Sequence, residues 1–592
     1  MKVVLQTHLD RHPVANSSKA PSLVTLLLIG CACAGYLFLR TLNEVSTGPV
    51  CLQPKPLYPP ANLNLDAVFS SQFSLSNASY ASSVSTRLSG LVQIDSQSFD
   101  DMKTSPKDPK NGDDDPRRKG ILDIHKYLES TWPRVHAKLS LEVVNYYGLV
   151  YTWTGSNAAL KPVMLTAHMD TVPVDQSTLN KWSYPPFQGK IADGYVWGRG
   201  SADVKAQIVS IFDAVETLLS NDYSPNRTII IAFGFDEEIS GRQGAGEITK
   251  HLLSRGYGNH GIEFILDEGS SIENQYGASF ALLSTGERGY MDVEYSVHTV
   301  GGHSSIPPVH TAIGYLAKVV SALEDDPFVP RVSKDLTTSV LFNELQCGAE
   351  LGLDMDQQLR KAIIKARSTK SKKAQQKVVD LLVPNVKLKA LMMTSQALDI
   401  IIGGQKVNAL PEVATAIGNY RIHPDESVSL TELRIRSIVA PLAKKYNLTF
   451  SQITHDGETV LFGGDGLVAP SLMSAPASLG LVSVKTLPDF LEPAPVTPTS
   501  GKPFQLVAGT IRHSMVRGDE NLYVSPSLPT GNSDTRYFHN LSKHIFRFTP
   551  LRDHDSHNIH TVDEKCRIID LVQSAGFFFN LLRNVDGCVL NY

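Results

Sequence analysis

Cysteine is scarce in this chain, six in 592 residues, and no two of them form a CxxC pair. That excludes a cysteine-built metal cluster and a scaffold made of disulfides, while leaving room for one or two bridges. Charge is also modest, 19% of residues with a net of −4, and no basic stripe is interleaved with aromatics. Nucleic acid is therefore excluded as a partner on electrostatic grounds. Internal repeats are lacking, which rules out a stacked-repeat architecture. Long apolar runs are all but missing; the one that exists lies between Pro21 and Leu39.

That run has the length needed to cross a bilayer, with Lys2, Arg11 and Lys19 before it and Arg40 after it. Ala32-Cys33-Ala34 offers small residues for a signal-peptide cleavage, but the run is longer than a signal core. The expectation is a signal anchor: residues 1–20 a cytosolic tail, 21–39 the transmembrane helix, and the remainder in a lumen. Sequons at Asn77, Asn226, Asn447 and Asn540 and the cysteines Cys51, Cys347, Cys566 and Cys588 then lie on the glycosylating, oxidising side.

The rest is too long for one core. Residues 40–119, rich in Ser, Asn, Pro and Asp, read as a stalk or wrapping segment with little core of its own. It closes in a solvated charge run, Asp113 to Lys119. From Gly120 apolar strands and amphipathic helices alternate. Strands end in His168 and Asp170, in Glu237-Glu238, and in Asp267-Glu268, and a helix begins just beyond Asp203. This predicts an α/β domain with a mainly parallel central sheet and a polar site along one edge, residues 120–290. Residues 291–455 read as an inserted α+β lid that includes a basic, polar helix from Asp354 to Leu382. Residues 456–592 return to the catalytic domain.

Imidazole and carboxylate are the donors zinc accepts, and one carboxylate can bridge two ions about 3.5–4 Å apart. The Glu237-Glu238 pair suits a division of labour, one acid on metal and the other moving a proton. Either Asp267 or Glu268 could reach the metal, and the last histidine is one of His554, His557 and His560.

His168-Met-Asp-Thr-Val-Pro173, Gly198-Arg-Gly-Ser-Ala-Asp-Val-Lys205, Glu237-Glu238 and Gly301-Gly-His-Ser-Ser305 together resemble the signatures of the M20 metallopeptidase family, in particular its fungal carboxypeptidase S branch. The resemblance implies two Zn2+ per subunit. His168, Asp203 and Asp267 would hold one, and Asp203, Glu238 and His560 the other. His560, followed four residues on by Glu564, matches the family pattern and would share a helical face with it. Asp170 would orient His168, Glu237 would be the general base and acid, and His303 would polarise the scissile carbonyl. Asn408 and Arg421 lie in motifs that resemble the lid's substrate contacts. Gly531 to Arg536 resembles a glycine-rich loop near the substrate carboxylate, with Asn532 and Ser533 departing from it. The implied activity is a zinc carboxypeptidase acting on short peptides with a free C-terminal carboxylate, in a vacuolar or other lumenal setting, with a lid-mediated homodimer. An N-acyl-amino-acid hydrolase or synthase would use the same residues.

Overall fold

The computed structural model describes residues 51–102, 104–112, 114–463, 466–467, 480–553 and 557–587. The expected cytosolic tail and anchor, together with His554 and Cys588, lie outside the described residues. Among the described residues no helix is long and apolar enough to cross a membrane.

The main sheet has eight strands. Val163–His168, Ile229–Gly234 and Ile265–Gln275 form its centre, with the first pairing in parallel to each of the other two. The first two are buried at every position, which is why they read as continuous apolar runs instead of alternating ones. Helices Ala206–Ser220 and Ile568–Gly587 lie against this sheet and are buried along most of their length. Because the central strands run the same way, their carboxyl ends open on one edge.

The second sheet has seven strands, in the order Ser395–Gly403, Val413–Ile422, Gly289–Thr299, Gly480–Thr486, Thr449–Ile453, Thr459–Gly463, Gly466–Leu467. Along Val413–Ile422 buried positions alternate with more open ones, the mark of a sheet covered on one face. Helices Ala312–Asp325 and Val428–Lys445 supply that cover. The lid expected over 291–455 therefore extends further. Gly480–Thr486 pairs antiparallel with Gly289–Thr299 and parallel with Thr449–Ile453, so the return to the main sheet follows Thr486.

Two other expectations are corrected. The single helix expected from Asp354 to Leu382 is two, Gln357–Thr369 and Lys372–Leu382, broken where Lys370 adopts a left-handed φ of 51°. With Val340–Leu351 and Val386–Leu391 they share a separate apolar core around Phe342, Ile363 and Val378. Of the two readings of the segment before Gly120, a stalk or a wrapping segment with little core of its own, the described part is not a stalk, and its helices add to the main core. Val84, Leu88, Leu91 and Val92 of helix Ala78–Val92 are fully buried in the main core. Truncating a buried leucine of this kind costs about 2–5 kcal/mol. Cys51 is disulfide-bonded to Cys347, and Arg118, read as part of a solvated run, is buried against Asp114 at 2.7 Å. The segment's core contacts are carried by two short helices, Leu63–Gln72 and Ala78–Val92, set in a sequence dominated by polar residues.

Candidate metal centre

His168 ends its strand and is 1% exposed. Its Nε2 lies 3.1 Å from Asp203 Oδ1 and 3.2 Å from Glu268 Oε1. Its Nδ1 lies 3.0 Å from the backbone oxygen of Asp170 and 3.4 Å from that residue's carboxylate. The Asp170 carboxylate in turn accepts the backbone N–H groups of Glu237 and Glu238, at 3.1 and 3.2 Å. One buried acid thus fixes both the imidazole and the turn carrying the paired glutamates. A carboxylate oxygen of Glu237 lies within 4.8 Å of ligand atoms of His168 and Glu268.

Asp203 sits in the turn before helix Ala206–Ser220. That turn needs Gly200, whose φ is 82° and whose added Cβ would fall 2.5 Å from Thr171 Cγ2. Asp203 divides its oxygens: Oδ1 faces His168, and Oδ2 lies 3.0 Å from His560 Nε2. His560 also meets Glu238 Oε2 at 3.2 Å. Two donor sets emerge, His168–Asp203–Glu268 and Asp203–Glu238–His560, with Asp203 common to both.

Asp267, expected as a ligand, is not placed beside His168. Its Oδ1 accepts from Thr166 Oγ1 at 2.7 Å, while Glu268 takes the position next to the imidazole. Consecutive residues of a strand project to opposite faces, so only one of the pair can share His168's side. The helical face expected for His560 and Glu564 is also absent. His560 lies in a turn, at a left-handed φ of 61°. His557 points elsewhere, bonding the backbone oxygens of Arg552 and Lys565 at 2.8 Å each.

The electrostatics call for a cation. Burial pushes Glu237 well above the usual carboxylate range and raises Glu238 and Asp267; it carries Glu268 up to about 8. Hydrogen bonds donated to Asp203 and Glu238 lift His560 to about 10. Burial works against the charged form of His168, yet Glu268, Asp170 and Asp203 together hold its pKa well up. Burial opposes Asp203 as well, and the two imidazoles nonetheless hold it far below the carboxylate range. Packing this many acids in a water-poor site is costly unless positive charge is supplied. The donor set is the hard-to-borderline oxygen and imidazole mixture that divalent zinc takes.

The remaining predicted residues fall into two groups. Arg421 Nη1 donates to Asn532 Oδ1 at 3.0 Å, with its guanidinium 4.8 Å from the Tyr290 ring centroid. Burial first, and Arg536 among its neighbours, lowers its pKa. The loop from Gly531 to Arg536 therefore meets the lid strand at Arg421, and Asn532 Nδ2 also donates to Arg288 O at 2.7 Å. Arg288, which the sequence did not single out, is buried and donates to the backbone oxygen of Arg421. His303 and Asn408 form the second group. Both are exposed; His303 lies on a short strand opposite Ala409, and Asn408 is in the turn just before that residue. His303 Nδ1 lies 2.7 Å from Ser305 Oγ, and among the described residues no hydrogen bond joins it to the metal-site side chains.

Residues 164–584 match peptidase family M20/M25/M40. The chain is 35% identical to carboxypeptidase S of Saccharomyces cerevisiae, over 91% of this chain and 89% of that one. It is 31% identical to an N-fatty-acyl-amino acid synthase/hydrolase of Bos taurus, over 84% and 87%. Among solved structures, the di-peptidase Dug1p from Saccharomyces cerevisiae shares the fold at a TM-score of 0.56 and 13% identity, covering 89% of this chain and 99% of its own. Human carnosine dipeptidase 1 does so at 0.54 and 13%, covering 88% and 100%. A mixed α/β body with its acids and histidines gathered on one sheet edge, and a match that spans most of the chain, have one reading: the chain belongs to peptidase family M20.

Proposed function

We propose that this protein is a dinuclear zinc carboxypeptidase that releases the C-terminal residue of short peptides. The observation that carries the reading is Asp203, whose two oxygens each face a different histidine, 3.1 and 3.0 Å away. On this reading His168, Asp203 and Glu268 hold one cation, and Asp203, Glu238 and His560 the other. When bound, the pair supplies acidified water and polarises the scissile carbonyl. Glu237 is not needed as a ligand. Its carboxyl, free to ionise once positive charge is near, takes the proton of the attacking water and returns it to the leaving nitrogen. Asp170 keeps that glutamate's backbone in place through the two N–H bonds described above.

Arg421 and Arg536 supply paired donors for the substrate carboxylate, and Gly531 lets the loop backbone approach it. His303 and Asn408 join from the lid when it closes, His303 as donor to the developing oxyanion. The strand Ser395–Gly403 lies at the edge of the lid sheet, with Ile401 and Ile402 63% and 66% exposed, which supports a homodimer formed through that edge. The Cys51–Cys347 disulfide supports a non-reducing lumen such as a vacuole, and the apolar run at 21–39 supports a membrane anchor.

The test is a substrate comparison on purified, zinc-restored protein. Blocked dipeptides should lose their C-terminal residue faster than long-chain N-acyl amino acids are cleaved, and chelation should abolish the reaction. Preference for the acyl substrates would favour the N-acyl-amino-acid hydrolase reading. Activity that survives metal removal would overturn both.

A further inference from the structure

We propose that Glu564 is a positioning residue that locks the two cation sites together by gripping the backbone of the Asp203 turn; this rests on the dinuclear reading above. Glu564 has no solvent exposure. Its Oε1 accepts from the N–H groups of Ala202 and Asp203, at 3.0 and 3.2 Å. Its Oε2 takes Arg199 Nη1 at 2.6 Å, in an ion pair whose side chains are 0% and 5% exposed. Its own backbone oxygen accepts from Gly198 N at 2.8 Å. Every one of these bonds goes to the stretch from Gly198 to Asp203.

Four residues earlier, His560 reaches the Asp203 side chain from the same connection. The short segment from His560 to Glu564 therefore holds Asp203 twice, by its carboxylate and by its amide. That double hold matters because the backbone at Asp203 is not helical, with φ −115° and ψ 95°. The N–H groups there precede the helix that starts at Ala206 and get no partner from it. Without Glu564, two buried amides would lose their acceptor and the bridging carboxylate could swing. Arg199 balances the buried charge and lies with its guanidinium 5.5 Å from the Trp182 ring centroid. A carboxylate that supports the ligands of a metal from behind usually changes affinity by about 10–100-fold.

The inference separates from a merely structural ion pair by zinc affinity. Metal-stripped full-length protein is titrated with zinc against a chromophoric chelator, and each variant's thermal melt is recorded beside it. Glu564→Gln keeps an oxygen for the two amides but loses the charge pair, and should bind zinc about 10-fold more weakly; Glu564→Leu, lacking both, should lose about 100-fold. Glu432→Gln serves as the control. Glu432 is a buried carboxylate of the lid, 3% exposed, that accepts from the His455 N–H at 2.7 Å. It should lower the melting temperature without changing zinc affinity. Wild-type zinc affinity in both Glu564 variants, alongside a lowered melting temperature, would overturn the proposal. Should Glu564→Leu not fold, Glu564→Gln alone decides. Failure of the wild-type protein to take up two zinc ions would instead overturn the dinuclear reading, and this proposal with it.

Discussion

His168, Asp170 and Asp267 are 1%, 0% and 1% exposed, whereas Val407, beside Asn408 on the lid, is 99% exposed and His303 and Asn408 lie open to solvent. The first set is fixed before any substrate arrives. His168 and Asp170 hold each other directly, and Asp267 is fixed by Thr166 on the neighbouring strand that the sheet has already aligned. Among the described residues the second set has no hydrogen bond to that cluster; it is shaped by the short pairing of Gly302–His303 with Ala409–Leu410 and by the contact of His303 with Ser305. Fixed partners, more than burial, thus separate the two sets: His560, with 51% of its side chain exposed, is still held by Asp203 and Glu238 at 3.0 and 3.2 Å, whereas His303 reaches the cluster only after a movement. Mutations on the two sides should differ accordingly, the lid affecting the transition state and the cluster affecting metal content.

The largest expected effect tests the cluster side at Glu237, which is half-buried and, on this reading, no ligand. Glu237→Gln should lower turnover by about 10³–10⁴-fold while two zinc ions remain bound, measured by metal analysis beside single-turnover rates. Metal loss equal to that of Asp203→Ala would move Glu237 among the ligands. Next comes the open side: His303→Ala should cost about 10²-fold in turnover with zinc content unchanged. Mixing it with Glu237→Gln sharpens the comparison further. Recovered activity in mixed particles is expected if His303 is donated across subunits, and none is expected if each lid closes on its own body.

Between the two regions stands Arg421, half-buried and stacked on Tyr290. Arg421→Lys keeps the charge but not the fork, and should raise KM about 10-fold for peptides while leaving their C-terminal amides unaffected. A parallel rise for the amides would remove Arg421 from carboxylate recognition.

The smallest effect concerns stability and pH. Burial pushes His423 down to about 4, with Arg331 and Arg288 adding to the push and Asp425 opposing it. A histidine kept neutral in the fold gains its proton only on unfolding, so its contribution is complete above about pH 6.5. It is lost as pH falls towards 4. Between pH 7 and pH 5 this group should withdraw about 1–2 kcal/mol, and His423→Asn should flatten that part of the profile in denaturant melts. An unchanged slope would mean that the imidazole is already protonated in the fold.

Much of the site could be read from the sequence because most of its acids and His168 follow a strongly apolar run, while Asp203 and His560 lie in turns. His168, Glu237-Glu238 and Asp267-Glu268 are all marked in this way, and parallel strands bring such ends together whatever their separation in sequence. What could not be read was orientation. The choice between Asp267 and Glu268 depends on the pleat of strand Ile265–Gln275, whose continuation past Leu266 through Gly269-Ser-Ser has no apolar alternation to show which side each acid takes. Glu564 was visible only as a residue four places after His560, and the helical spacing suggested there was misleading because His560 adopts a left-handed turn. The segment holding Val84 and Leu88 read as a stalk or wrapping segment with little core of its own since its serines and prolines dominate the composition, although two helices in it are apolar where they meet the core. The lid boundary was missed for a further reason: Gly480–Thr486 belongs to the lid sheet only through pairing with strands distant in sequence.

The central claim is that one carboxylate joins two cations, and anomalous scattering at the zinc edge from crystals of reconstituted protein tests it most directly. Two peaks about 3.5–4 Å apart are predicted, both bound by Asp203, one also by His168 and Glu268 and the other by Glu238 and His560. A single peak, or a first peak held by Asp267 with Glu268 turned away, would contradict it.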